Sequence, residues 1–260
     1  MDAGAGVSRL KALAEQTIDI LIFTHFHPDH GREAYLFRDA QWWAHGGDAP
    51  AISSVEAYKE FRGYNIKGQE YLLGEEESRL GVYPHGPVAA QFRDGEWLDF
   101  GNIGLQVIHT PGHTAGHCCF FEPKQEVLFS ADIDASSFGP WYGDPVSDIE
   151  DSIKSINRVI ELIPKLLISS HGQPLTENIT EKLRNYCSVI FQREEQIIKY
   201  LKRGPAKLET LVGEGLIYRK ALKPWHLILH FERVMLKKHL ELLERQGEVI
   251  LCEGLYQLNS

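Results

Sequence analysis

The chain is poor in cysteine and has no long apolar run. Its 260 residues include only four cysteines, Cys118, Cys119, Cys187 and Cys252, and they show no paired spacing. Adjacent cysteines such as the first two are poorly placed to bridge each other, so the pattern favours reduced thiols over a disulfide framework. No stretch approaches the ~20 consecutive apolar residues of a membrane span, and the N-terminus lacks the basic and apolar regions of a secretory signal. We therefore predict a cytoplasmic protein without a membrane partner.

Positive charge is also scarce. The sequence has 27 Lys and Arg residues against 36 Asp and Glu, which gives a formal net charge of −9. Such a surface repels polyanions, so nucleic acid is disfavoured as a partner. The 260 residues suit one large domain or one domain with a small appendage, and the 43% of hydrophobic residues suffices for a substantial core.

Residues 24–30, THFHPDH, concentrate metal-ligand side chains directly after an apolar strand. His25 and His27 are two residues apart, so both point to the same side of an extended segment. Pro28 favours the start of a helix, which places Asp29 and His30 on its first turn, aimed at a neighbouring volume. Two adjacent ligand clusters of this kind suit two metal ions.

The pattern His25-x-His27-x-Asp29-His30 resembles the signature of the metallo-β-lactamase-fold superfamily. Three further motifs of that family follow in order, over about residues 1–175: Thr110-Pro111-Gly112-His113-Thr114, Asp132 after Phe129-Ser130-Ala131, and Ser170-His171-Gly172. The resemblance implies two groups of metal ligands and a bridging carboxylate: His25, His27 and His113 for the first metal, Asp29, His30 and His171 for the second, and Asp132 between them.

Strands alternate with helices along the chain, which favours sheets covered by helices. The resemblance implies an α/β fold of the αββα sandwich type, with a catalytic domain over 1–175 that includes an insertion at about 46–95. Residues Met1-Asp2-Ala3-Gly4 resemble a turn that follows the first strands in this family. We therefore expect one or two N-terminal strands to be missing and an exposed sheet edge, which favours a homodimer. Residues 176–260 are expected to form a helical region that resembles the winged-helix tail of some branches.

A site rich in imidazole and carboxylate, without cysteine ligands, suits two divalent metal ions, most favourably zinc, with iron or manganese as alternatives. Metal coordination lowers the pKa of water from ~15.7 to about 7 and supplies a metal-bound hydroxide. We predict a dinuclear hydrolase acting on a small ester, thioester, lactone or phosphoester. Asp29 is expected to orient the nucleophile, and Asp132 is the second catalytic carboxylate.

Four residues near the motifs are candidates for substrate binding. Arg32 suits an anionic substrate, and Asp134 lies on the same side of an extended chain as Asp132. Trp141 and Tyr142 follow in a Gly- and Pro-containing loop and are candidates for the wall of a pocket. A solvated arginine, a solvated carboxylate and two ordinary loop anchors are the alternative interpretations.

Other histidines favour structural roles. His109 and His117 flank the second motif and are expected to support ligands or to pack within strands. His226 and His230 stand four apart on a predicted helix, with apolar residues interleaved, which favours core packing over a metal pair.

Three other functions compete with a dinuclear hydrolase. A mononuclear iron persulfide dioxygenase uses similar motifs with fewer ligands. An RNA nuclease or nucleic-acid-binding protein would use basic residues of the late helix, which neighbouring glutamates dilute: Arg233, Lys237, Lys238 and Arg245. A non-catalytic ligand sensor would retain the metals without turnover.

Overall fold

A computed structural model describes residues 1–219 and 225–259. Within these ranges the strands are β1 Ile20–Ile22, β2 Gln41–His45, β3 Val88–Phe92, β4 Trp97–Asp99, β5 Gly104–His109, β6 Cys118–Glu122, β7 Val127–Ala131, β8 Leu166–Ser169, β9 Val249–Cys252 and β10 Leu255–Leu258. The α-helices are α1 Val7–Ala14, α2 Pro28–Gly31, α3 Ala49–Ser53, α4 Val55–Arg62, α5 Tyr71–Leu80, α6 Ile149–Glu161, α7 Ile179–Leu201, α8 Leu208–Glu214 and α9 His226–Arg245. A short 3₁₀ helix covers Ala34–Phe37.

Two sheets pack face to face. Strands β1, β2 and β3 form a parallel sheet, and β4 to β8 form a second sheet that is antiparallel except for the parallel pair β7 and β8. One buried cluster joins side chains of both sheets: Ile22 and Phe92 from the first, and Leu98, Leu105, Val107, Cys118 and Phe120 from the second. This cluster is the core of the sandwich, because strands present alternate side chains to it.

Helices cover the outer faces of both sheets. Leu10 of α1, Tyr58 of α4 and Leu72 of α5 belong to the same buried cluster as Leu21 and Trp42 of the first sheet. On the other side, α6 and α7 bury side chains against the second sheet: Ile156, Val159 and Leu183 against Leu128 and Leu167. The order of layers is thus helix, sheet, sheet, helix, which confirms the predicted fold class.

The C-terminal helices and the hairpin β9–β10 share one buried cluster, which also includes Tyr142 and Ile149 of α6. Ile190 of α7, Leu211 of α8, Met235 and Leu236 of α9, and Val249 of β9 lie in one buried cluster. The predicted helical region is therefore present, while the winged-helix resemblance and a domain boundary near residue 175 stay predictions. No helix in the described ranges is both long and apolar enough to cross a bilayer.

Two local predictions differ from the structure. The segment expected as an insertion contains β3, which pairs with β2 in the first sheet, with Trp43 opposite Ala90. Its sequence alternates weakly, so pairing with β2 defines this strand more than its own hydrophobicity does. The helix predicted to start at Pro28 ends after one turn at Gly31, and the separate 3₁₀ helix follows. The ring of Tyr83 packs against Gly31, where a Cβ atom would lie 2.6 Å from it.

Candidate metal centre

Four segments carry the predicted ligands to one edge of the sandwich. Residues 24–30 follow β1 and turn into α2, whose first residue is Pro28, as predicted. His113 follows β5 in a tight turn that requires Gly112, because φ there is 125° and a Cβ atom would lie 2.3 Å from the backbone of Ser152. Asp132 and His171 follow the neighbouring ends of β7 and β8.

The backbone before Asp132 is bent away from an ordinary strand. Ala131 has φ of 46°, and the register between β7 and β8 shifts at this point. Such a conformation is costly for a residue with a Cβ atom and occurs often at functional sites. The shift ends β7 and leaves the Asp132 carboxylate between the two groups of histidines.

Three ring nitrogens of the first group face one another. His25 Nε2 lies 3.1 Å from His27 Nδ1, and His113 Nε2 lies 3.2 Å and 2.9 Å from those two atoms. Asp132 Oδ2 lies 3.2 Å from His113 Nε2. Nitrogens on one tetrahedral zinc are about 3.3 Å apart, given Zn–N bonds of about 2.0–2.1 Å. The observed spacing therefore fits a shared cation.

The second group meets the same carboxylate. Asp132 Oδ1 lies 3.0 Å from His30 Nε2, and Asp132 Oδ2 lies 3.4 Å from His171 Nε2. His171 Nε2 also lies 3.1 Å from Asp29 Oδ2. His30 Nε2 and Asp132 Oδ1 are buried, and although they lie 3.0 Å apart, neither atom has a hydrogen bond of good geometry. Buried polar atoms seldom lack a partner, and a metal ion would satisfy both.

The electrostatics of these groups also suit cations. Burial lowers the pKa of His25 and of His27, so both are neutral at pH 7, as metal ligands must be. Burial alone would raise the pKa of Asp132, but the nearby histidines lower it overall. Hydrogen bonds to Asp132 and Asp29 raise the pKa of His171 to about 10. A positive charge between these two carboxylates is therefore strongly favoured, and a bound metal ion would supply that charge.

In the first group, each ligand's second ring nitrogen has a partner. His25 Nδ1 lies 3.0 Å from Thr24 Oγ1, and His113 Nδ1 lies 3.0 Å from the Trp141 carbonyl oxygen. His27 Nε2 lies 2.6 Å from Asp144 Oδ2. Such contacts fix the tautomer and the ring orientation of a ligating histidine.

Further contacts hold His30 and Asp132. His30 Nδ1 lies 3.0 Å from Asp2 Oδ2, and the two carboxylate oxygens of Asp2 accept hydrogen bonds from the backbone N–H and the hydroxyl of Thr24. His117 Nε2 accepts a hydrogen bond of 3.2 Å from the backbone N–H of Asp132. His117 therefore supports a ligand, as the sequence predicts, whereas no sequence pattern indicated this role for Asp2.

Asp144 belongs to a buried ionic network that the sequence did not indicate. Arg62 Nη1 donates to Asp144 Oδ1 at 2.7 Å, and Arg62 Nη2 donates to Glu76. Glu76 also accepts hydrogen bonds from the hydroxyls of Tyr58 and Tyr64. These groups lie in α4 and α5 and the turn between them, so a part of the chain without a recognisable motif supports His27.

A cavity of about 320 Å³ opens beside the ligands. Its wall includes predicted ligands, the apolar side chains Leu80, Phe138, Trp141 and Phe231, and the polar side chains Arg62, Asp134 and Ser136. Phe231 belongs to α9, so the C-terminal region forms part of this wall. The sequence indicates Asp134 and Trp141 as substrate-binding residues, but it carries no signal for the other five.

Two predicted substrate residues lie elsewhere. Tyr142 is fully buried, and its hydroxyl is hydrogen-bonded to Arg193 and lies 2.7 Å from His239 Nε2. Adjacent residues of an extended segment point to opposite sides, so Trp141 faces the cavity and Tyr142 faces the C-terminal core. Arg32 lines a neighbouring cavity, where it donates hydrogen bonds to Glu33 and to the carbonyl oxygen of Gly4.

The remaining histidines have structural partners. His109 Nε2 lies 2.9 Å from the carbonyl oxygen of Ala115. His230 is buried, as predicted, with Nε2 3.0 Å from the carbonyl oxygen of Arg62. His226 is exposed, and its Nδ1 atom lies 3.4 Å from Glu75.

Comparison with known proteins agrees with this geometry. The family model described as "Metallo-beta-lactamase superfamily" matches residues 1–171. The structure is similar to that of a metallo-beta-lactamase family protein from Thermus thermophilus, TTHA1429, with a TM-score of 0.73 and 20% identity over 96% of this chain and 84% of that one. Structural similarity at 20% sequence identity shows that the two proteins share a fold.

Two curated relatives are thioesterases. The chain is 30% identical to the human acyl-coenzyme A thioesterase MBLAC2 over 57% of its own length and 53% of that protein. It is 24% identical to the atrochrysone carboxyl ACP thioesterase of Aspergillus fumigatus over 83% of its own length and 59% of that protein. The chain thus spans little more than half of the length of both relatives. The family model spans all seven predicted metal ligands. The prediction of a metallo-hydrolase is confirmed at the level of the family: the chain belongs to the metallo-beta-lactamase superfamily.

Proposed function

We propose that the chain is a dinuclear metal-dependent hydrolase of small thioesters. The proposal of two metal ions depends on the position of Asp132, because its carboxylate contacts ring nitrogens of both histidine groups. One ion would be held by His25, His27, His113 and Asp132, and the other by Asp29, His30, His171 and Asp132. When bound, the ions lower the pKa of water to about 7 and polarise a carbonyl group. Zinc suits this donor set best, with iron and manganese as alternatives.

The protein side chains orient the reactants. Asp29 lines the cavity, and its pKa is lowered because the hydrogen bond from His171 and the charge of His30 outweigh burial. As a carboxylate it accepts a hydrogen bond from the attacking water and fixes its direction. The water oxygen bonds to the acyl carbon, the carbon–sulfur bond breaks, and the products are a carboxylic acid and a thiol.

The cavity wall favours an acyl group. Trp141 packs edge-on against His27, with ring centroids 5.1 Å apart, and Phe231 packs against Trp141 at the same distance. Together with Phe138 and Leu80 they form an apolar surface beside the ligands, which suits the hydrocarbon part of a thioester. Both thioesterase relatives support this substrate class. Residues 1–175 would form the catalytic domain, and residues 176–260 would complete the wall through α9.

Metal analysis and a substrate panel test the proposal. We expect two metal ions per chain, and hydrolysis of thioesters in preference to oxygen esters, lactones and phosphodiesters. Asp132→Ala should lose turnover, whereas Glu241→Gln on the exposed face of α9 should keep it. One iron with oxygen consumption would identify a persulfide dioxygenase instead. Strongly salt-dependent RNA affinity or cleavage, or no turnover at all with a tightly bound small molecule, would also contradict the proposal.

A further inference from the structure

A second cavity of about 600 Å³ adjoins the catalytic one. Three arginines line it, Arg32, Arg38 and Arg79, and we call it the arginine cavity. Leu80 lines both cavities, so a single side chain is common to their walls. Arg32 follows the predicted ligand Asp29 by three residues, directly after α2. The arginine cavity therefore borders the helix that carries Asp29 and His30.

The arginine cavity is positively charged in a chain of net negative charge. Glu33 is its one acidic lining residue in the described chain, and one oxygen of Glu33 accepts from Arg32 while the other is buried. Arg79 lies 3.7 Å from Glu75 and stacks on the ring of Trp225, 3.5 Å from its centroid, and neither partner lines the wall. Arg38 is exposed and has no hydrogen bond or ion pair within residues 1–219 and 225–259. Three guanidinium groups line the wall against one carboxylate, and this excess of positive charge suggests an anionic ligand, because like charges that crowd together are otherwise unfavourable.

The wall also offers surface for a flat ring. Tyr35 is 41% exposed and Val82 is 67% exposed, and both belong to the arginine cavity. Guanidinium groups bind phosphate oxygens in a bidentate manner, and exposed aromatic rings stack on nucleobases. The combination is the chemistry that recognises a phosphorylated nucleotide.

We propose that the arginine cavity binds the phosphorylated nucleotide of a coenzyme A thioester while its acyl group occupies the catalytic cavity. This inference rests on the proposed thioesterase function and names the leaving group on which the enzyme acts. The pantetheine arm would pass Leu80 between the two cavities. A thioester without the nucleotide would bind only through its acyl end.

Binding and specificity test this assignment separately. Free coenzyme A is titrated calorimetrically into the metal-loaded wild type, into Arg38→Gln and into Arg38→Gln/Arg79→Gln. We expect affinity to fall about tenfold for the single variant and further for the double variant, since hydrogen bonds to charged groups are lost. Arg184→Gln is the matched control, because Arg184 is exposed on α7 and its side chain makes no hydrogen bond or ion pair with any described residue. Wild-type affinity in the double variant would overturn the assignment.

Kinetics give the second readout. The ratio of kcat/KM for an acyl-coenzyme A over the same acyl group on N-acetylcysteamine should be high in the wild type and in Arg184→Gln, and about tenfold lower in Arg38→Gln. Equal ratios in all proteins would overturn the assignment of the arginine cavity to the nucleotide. Hydrolysis of an acyl carrier protein thioester without binding of coenzyme A would do the same. Both results would leave the thioesterase proposal intact. Absence of hydrolysis of every thioester would refute the thioesterase proposal, and the calorimetric titration would still decide the nucleotide site.

Discussion

Asp144→Asn tests whether the buried ionic network positions a metal ligand. The carboxylate of Asp144 is fully buried, and its two oxygens face His27 Nε2 at 2.6 Å and Arg62 Nη1 at 2.7 Å. Asparagine has the same shape but only one oxygen. Its amide nitrogen would therefore face either an imidazole N–H or a guanidinium N–H, so one buried donor loses its acceptor.

The expected effects follow from this loss. Removal of one partner of a buried ion pair costs about 3–5 kcal/mol of stability, because the other charge stays buried. Loss of a hydrogen bond to a metal-ligating histidine lowers metal affinity by about 10–100-fold. That factor corresponds to about 1.4–2.8 kcal/mol of binding free energy. The affinity of the first group of ligands should fall more than that of the second, because His27 belongs to the first group alone.

Competition with a chromophoric chelator measures the two metal affinities, and urea unfolding with and without metal measures stability. Asp151→Asn is the matched control, because the side chain of Asp151 is 43% exposed and pairs with Lys154 on the surface of α6. An exposed pair contributes about 0–1 kcal/mol, so the control should bind both metals normally. A folded Asp144→Asn protein with wild-type affinity at both sites would refute the positioning role of the network.

Three further outcomes are expected. Asp132→Ala should lose at least one metal ion and all turnover, because the bridging charge is removed; wild-type metal content by elemental analysis would contradict this. Removal of metal with EDTA should lower Tm, and zinc should restore it, because buried ligand atoms such as His30 Nε2 lose their partner; equal melting curves would argue against a metal centre. Burial lowers the pKa of His239. Because the unfolded chain takes up a proton as pH falls through about 6.5 while the folded chain does not, stability should fall by up to about 1.4 kcal/mol between pH 7.5 and 5.5. In EDTA, His239→Gln should show a smaller fall over that interval, and an identical fall in both proteins would exclude a contribution from His239.

Much of the metal centre could be predicted because its ligands lie in short local patterns. His25, His27 and His30 are set by a strand that turns into a helix at Pro28, and this geometry depends on few neighbours. His113, Asp132 and His171 each follow a strand, and the ends of adjacent strands meet at one edge of a sheet. The periodicity of the apolar residues was enough to place those strands.

The residues that hold the metal ligands in position could not be predicted in this way. Asp144 meets His27 across 117 residues of sequence, and Arg62 reaches Asp144 across 82. A single aspartate or arginine in a sequence is most often solvated, so neither has a local signal. The same limit applies to Phe231, which reaches the catalytic cavity only because α9 packs beside α5.

The sequence by itself determined the family, the layered fold and the set of candidate ligands, because strand alternation, helix starts and motif spacing act over a few residues. Only the tertiary structure decided which carboxylates hold the histidines, that Trp141 and not Tyr142 faces the cavity, and that three arginines gather beside the metal centre. These features depend on contacts between distant segments, and packing, not local preference, determines which side chains meet.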